Sequence, residues 1–396
     1  MSAIGICFVI LGHLRTEAPG IGTFFAWFPY YSFHMPLFLF ITGYFFRDLN
    51  SREGVPDHTR AASGHAGFWK PFFAFVWKKF RTLMIPYYVI NGCMILIQLF
   101  LIHTLSILYP ISFTEYLLMP WIRTQPLTFA IPTWYLAGLF IAEVMYMLLR
   151  SAALHLVKKK IYAELLLLAV TLAMGAAACY TVFSLQPSET AIVYLRSVVM
   201  LFFIQAGKIY REWLEQYDTL SSGWYFTILI LLQCVLLVIS RGSQLNFGLY
   251  GLVGFGRTGF LYYAAGITGI LLWLRISRIL DGALKNSRLV MLVGNSTKYI
   301  MSFHLLGFFL LNLLFLLLHS LGAVPGFLGK FNPEGLYADP FYYWYQEGGP
   351  RFIPLYFLAG MGFSLLITWV IRTVQNKLRQ SGIFRGSFHK DGESRL

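Results

Sequence analysis

Long uncharged apolar runs alternate with short polar blocks from one end of the chain to the other. Ten runs approach the roughly 20 residues that a bilayer-crossing helix needs. They cover 1–14, 28–46, 83–103, 130–149, 161–180, 191–209, 224–239, 259–274, 299–318 and 352–371. The first, Met1 to Leu14, is too short to cross comfortably, so either this helix is truncated or the start lies upstream of Met1. The seventh and eighth runs are also short. A glycine-rich, still apolar link from Ser240 to Gly256 joins them and leaves that part of the count open.

The polar blocks orient these runs. Cations crowd every second one: Arg47, Arg52, Arg60, Lys70, Lys78, Lys79 and Arg81 after the second run, and Arg150, Lys158, Lys159 and Lys160 after the fourth. Lys208 and Arg211 follow the sixth; Arg275, Arg278, Lys285 and Arg288 follow the eighth. The C-terminal tail adds Arg372, Lys377, Arg379, Arg385, Lys390 and Arg395, whereas the alternate loops hold two cations at most. Loops rich in Lys and Arg stay in the cytoplasm. The expected fold is therefore an all-α, polytopic membrane bundle of ten transmembrane helices with both termini cytoplasmic. Residues 1–380 read as a single transmembrane domain and 381–396 as a cytoplasmic tail.

Composition agrees and narrows the function classes. Of 396 residues 57% are hydrophobic and 12% charged, against about 25% charged in soluble domains. The net charge of +14 sits in topology-setting blocks and not along one soluble face, which argues against a nucleic-acid partner. Cys7, Cys93, Cys179 and Cys234 all lie in apolar runs without a CxxC pair, so no metal or disulfide frame is indicated. No cleavable signal peptide is evident. Phe341, Tyr342, Tyr343, Trp344 and Tyr345, in an extracytoplasmic segment, suit an interfacial belt or a sugar-stacking surface. There is no internal repeat of the kind that marks many transporters, and no GxSxG, HExxH or P-loop motif.

Ionisable groups inside a bilayer are costly and point to function. Here they are His13, His34, His103, Glu143, Glu164, Arg196, His304 and His319. Histidine suits general-base work because it titrates near neutrality. His13 closes IGICFVILGH at the outer end of the first run, where it could equally cap the helix. His34, in YYSFHMPLFLFITGYFFRD, enters the second run from the same side, so the two can approach each other. His304, in GNSTKYIMSFHLL, falls in the inner half of the ninth run and reads as a core histidine with its hydrogen bonds satisfied.

The succession VILGH, FHMPLFLFITGYFF, KKFRTLMIPYY, IPTWYLAGLF and GNSTKYIMSFHLL resembles the acyltransferase 3 family, and within it fucose 4-O-acetylase-like and polysaccharide O-acetyltransferases. The resemblance spans about residues 1–310, with FHMPLFLFITGYFF the most specific piece. It implies ten helices in the bacterial inner membrane, a cytoplasmic acetyl-CoA (acyl-CoA) donor, no metal, and transfer to a hydroxyl of a carbohydrate or glycolipid acceptor. It also implies an essential histidine at His13. Trp134, Tyr135 and His304, which lie in the matching pieces, are the candidate substrate-binding residues. The family usually carries Arg or Lys eleven positions before the histidine at His13; Ser2 stands there, which motivates an inactive-paralogue reading.

The chemistry fits these residues. A sugar hydroxyl is a poor nucleophile, and a base that takes its proton during attack on a thioester contributes about 10²–10⁴-fold. His13 is the expected base, with His34 orienting the acceptor or stabilising developing charge. Lys78, Lys79 and Arg81 are the expected cations for the phosphates of CoA, besides serving as topology markers. One tension follows: His13 maps outward while CoA arrives from inside, so the acyl arm must thread between helices or the first helix must sit deeper. The reading from another class is a transporter or flippase of lipid-linked sugars or small acids that uses intramembrane His and Glu as a proton relay.

Overall fold

The computed structural model describes residues 1–14, 30–48, 66–105, 112–125, 128–241, 245, 247–255, 259–322, 331–338 and 352–381. The first two runs form α1 (Ser2–His13) and α2 (Tyr30–Tyr44). Next, α3 (Ala66–Lys79) passes through a π-helical turn, Phe80–Met84, into α4 (Ile85–Leu105). The short α5 (Phe113–Ile122) and a 3₁₀ segment, Thr128–Thr133, lead to α6 (Trp134–Leu156). Then come α7 (Lys160–Leu185), α8 (Glu189–Ile209), α9 (Ser222–Ile239) and α10 (Leu261–Leu284). The chain ends with α11 (Arg288–Asn295), α12 (Thr297–Ser320), α13 (Pro333–Ala338) and α14 (Ile353–Gln380). Among the described residues the one piece of β-pairing is an isolated bridge, Gly248 with Val253.

All ten apolar runs appear as helices, in order. Among the described residues eight are long and apolar enough to cross a bilayer; α1 and α2, with 12 and 15 described residues, are the short ones. The link between the seventh and eighth runs is not a span. Leu245, Phe247, Leu249, Leu252 and Phe255 bury themselves, and Phe247 and Phe255 pack on Tyr262 at the head of α10 with ring centroids 5.3 and 4.8 Å away. The aromatic run 341–345 and the tail beyond Ser381 lie outside the described residues.

Apolar side chains gain nothing by leaving lipid for one another, so close backbone packing and buried polar contacts hold such a bundle together. At the α2–α8 crossing Gly43 lies on the backbone of Ile204 and Gly207 on the carbonyl of Phe40, with no room for a Cβ at either. Gly207→Val is expected to force these helices apart and sharply reduce folded protein in the membrane. Size-exclusion profiles of the detergent-extracted variant check this.

The face that the charge pattern assigns to the cytoplasm is cross-braced. Arg150 of α6, buried, makes a bidentate pair with Glu164 of α7, both contacts at 2.6 Å, and also grips Asp48 beyond α2. Gln205 of α8 donates to Glu164 at 2.9 Å and accepts from Tyr146 at 2.6 Å. Lys208 meets the Phe46 carbonyl at 2.9 Å and Glu212 at 2.8 Å. Further along, Asp218 binds both Arg275 and Arg278 of α10. These groups fix the inner ends of α2, α6, α7, α8 and α10 relative to one another.

Candidate functional site

The depth at which α1 ends is set by its neighbour: the His13 and His304 rings are 4.8 Å apart, tilted by 60°. His304 is the eighth residue of the 24-residue α12, about 10 Å from the inner end of that helix. The outward position expected of His13 from the sequence is therefore corrected. α1 ends inside the bundle, between the two faces.

Both rings are oriented by the same device. Nδ1 of His13 meets the Val9 carbonyl at 2.8 Å, and Nδ1 of His304 meets the Ile300 carbonyl at 2.9 Å. A carbonyl only accepts, so each Nδ1 carries the hydrogen, which leaves each Nε2 as the lone-pair nitrogen while the ring is neutral. His304 is fully buried and its Nε2 has no hydrogen-bond partner. The expected fully satisfied core histidine is thus satisfied at one nitrogen only. Phe308 stands edge-on to it at 5.6 Å. On the other side lies Gly360 of α14, where an added Cβ would fall 3.3 Å from the His304 Cβ and 2.6 Å from the Phe308 ring.

His34 joins this centre through Tyr31. The Tyr31 hydroxyl donates to the Gly12 carbonyl at the end of α1, and its ring packs edge-on against buried His34 with centroids 5.3 Å apart. The sequence linked His13 with His34; the fold adds His304 to the pair.

Trp134 and Tyr135 are buried at the start of α6, ring against ring at 5.9 Å. The Arg196 guanidinium lies 5.0 Å from the Trp134 ring, a favourable cation–π arrangement in a dry site. Arg196 is fully buried and donates to the Thr124 and Tyr250 carbonyls at 2.6 and 2.8 Å, tying two outer connections to α8. The 3₁₀ segment ahead of Trp134 reaches α12 through Phe129, whose ring lies 4.7 Å from Phe309. Thr133 receives a 3.0 Å bond from buried Asn91 of α4.

The KKFR segment straddles the π-helical turn. Lys79 binds Glu143 of α6 at 2.6 Å, with Glu143 only 2% exposed. Its charge is thus committed to that carboxylate, whose second oxygen has no hydrogen-bond partner. Lys78 is exposed and Arg81 half-buried. His319 packs on Phe331 at 5.9 Å near the far end of α12, remote along that helix from His304; the side chain of His103 is outside the described residues. No group of three or more His, Cys, Asp or Glu able to hold a metal occurs among the described residues.

The family model for an acyltransferase domain, of the acyltransferase 3 type, matches residues 3–373. The chain belongs to the acyltransferase 3 family. No curated protein and no solved structure matches it. The family match covers α1 through most of α14, so the histidine centre, the Trp134–Arg196 stack and the KKFR turn all fall within the acyltransferase domain. The protein is accordingly a multi-pass membrane acyltransferase.

The sequence did not single out Gly360 or the pairing of His13 with His304. The one available signal was the presence of His304 in a span, since an uncompensated imidazole at that depth calls for a partner.

Proposed function

We propose that this acyltransferase moves an acetyl group from acetyl-CoA, bound from the cytoplasmic side, to a hydroxyl of a cell-surface or lipid-linked carbohydrate in the bacterial inner membrane. The observation that carries the reading is the mid-depth His13, oriented through Nδ1 with Nε2 left as the lone-pair nitrogen. Level with His304, about 10 Å from the inner end of α12, it is within reach of a thioester arm entering from the inner face, which removes the tension between an outward base and an inward donor.

In this reading His13 Nε2 takes the proton of the acceptor hydroxyl as its oxygen attacks the thioester carbonyl. The C–S bond then breaks and the thiolate of CoA leaves, to be protonated in turn. His34, held against Tyr31 beside the end of α1, orients the acceptor or stabilises the developing oxyanion. Trp134 and Tyr135 are the aromatic residues that would border the acceptor, with Arg196 seated on the Trp134 ring. Lys78 and Arg81 supply charge for the phosphates of CoA.

The test uses the purified full-length protein in lipid nanodiscs with radiolabelled acetyl-CoA and a panel of glycan and glycolipid acceptors. Label appearing in an acceptor, with stoichiometric release of CoA, is the expected result. Absence of transfer together with proton-coupled uptake of sugar or acid by proteoliposomes would instead establish the transporter reading, to which a buried imidazole pair is also suited as a relay.

A further inference from the structure

We infer that His304 is the proton-handling partner of His13, so that a pair of imidazoles, and not a single base, manages the proton of the transfer reaction. This rests on the acyl-transfer reading of the site. The first observation is contact: the two rings lie 4.8 Å apart although they come from helices at opposite ends of the sequence. The second is their matched orientation. Each Nδ1 is occupied by the carbonyl four residues earlier in its own helix, so chemistry at either ring is confined to Nε2.

The third observation concerns burial. His304 Nε2 is fully enclosed and has no hydrogen-bond partner. Buried polar atoms are nearly always satisfied, and the exceptions call for a reason. A structural histidine in a membrane helix would be expected to use both nitrogens. A lone pair kept open beside the base has a use during turnover, because it can receive a proton that the base has taken. Two imidazolium ions in contact beside Phe308 and Gly360 would repel strongly. The pair therefore holds one extra proton, and the interacting sites titrate as a unit.

The cycle balances. The acceptor O–H bond breaks as the C–O bond forms, and the proton goes to His13 Nε2. The pair shares that proton while the tetrahedral intermediate collapses. The C–S bond breaks, the thiolate of CoA takes the proton, and both rings return to neutral. His304 acts through His13 and is a positioning and proton-holding residue.

The experiment measures steady-state acetyl transfer by wild type, His13→Ala, His304→Asn and His304→Ala in nanodiscs, with and without added imidazole. For both His304 variants the expected result is a kcat lowered by about 10²-fold, with KM for acetyl-CoA and for the acceptor within a factor of about three. Imidazole should restore turnover in His304→Ala, which leaves space for it, and not in His304→Asn. An unchanged kcat, a rise in acceptor KM alone, or a loss that imidazole does not relieve in His304→Ala would each overturn the inference. A His13→Ala enzyme that still transfers acetyl would instead overturn the underlying reading of the site, so the two failures are distinguishable.

Discussion

His13→Ala is expected to lower acetyl transfer by about 10²–10⁴-fold while the protein reaches the membrane at its normal level, the range being that of a lost general base. The side chain is half-buried, and its Nδ1 hydrogen bond is to a carbonyl of its own helix. Immunoblots of membrane fractions should match wild type. The assay is acceptor acetylation in membranes at saturating acetyl-CoA. Transfer at the wild-type rate would sink His13 as the base. His34→Ala should fall between the two, since Tyr31 remains in place to hold the end of α1.

Arg150→Met is expected to destabilise the fold by about 3–5 kcal/mol, the cost of leaving a buried partner charge uncompensated. Glu164 would lose both of its 2.6 Å contacts while remaining 1% exposed, and Asp48 would lose its main partner. Thermal unfolding of detergent-solubilised protein should show a marked fall in midpoint. The double variant Arg150→Met with Glu164→Gln should recover part of it, since the stranded charge is then gone; no recovery would argue against a paired role. Asp48 links this brace to pH. Burial pushes its carboxyl up, but the Arg150 guanidinium, with help from Lys208 and Lys160, outweighs that and holds it below the ordinary 3.8. A lowered folded value means its contribution is fully present above that ordinary value and is lost as pH falls through the lower, folded one. An Asp48→Asn protein should accordingly lose stability at neutral pH and show a flatter midpoint–pH curve in the acid range.

The helices were legible because the bilayer imposes one length and one polarity on each of them. The charge blocks between them gave the orientation. What escaped the sequence was the use to which particular polar residues are put. Arg150 reads as one more topology marker at the end of the fourth run, yet it is buried in a bidentate pair with Glu164 across a three-residue connection. Lys79 reads as a donor-binding cation alongside Lys78 and Arg81, yet the π-helical turn after it accompanies a contact with Glu143 from another helix. A run of cations looks uniform in one dimension, and only packing decides which of them meets a carboxylate.

The histidines show the same limit more sharply. His13 and His34 are close in sequence, so a link between them could be anticipated; the described one runs through Tyr31, which touches the end of α1 and the His34 ring. His304 comes from a distant run, and nothing in its local pattern reveals which helix faces it. The depth of His13 escaped the sequence for the same reason: it was placed at the outer end of the first run, and only its contact with His304 fixes its level.

The level at which α1 ends has an electrostatic consequence. A helix that spans the membrane delivers the negative end of its macrodipole to water, where it is screened; α1 delivers it to the middle of the bundle. The carbonyls of the last turn converge there: Val9 on the His13 ring, Gly12 on the Tyr31 hydroxyl, and Leu11 on the amide of Leu14. About half an elementary negative charge is thereby aimed at the residue that becomes positive when it accepts a proton. In a medium of low polarisability this is a fixed, pre-oriented counter-charge for the imidazolium, supplied by backbone alone. Lengthening α1 past His13 would carry that charge away from the base without altering any side chain of the site.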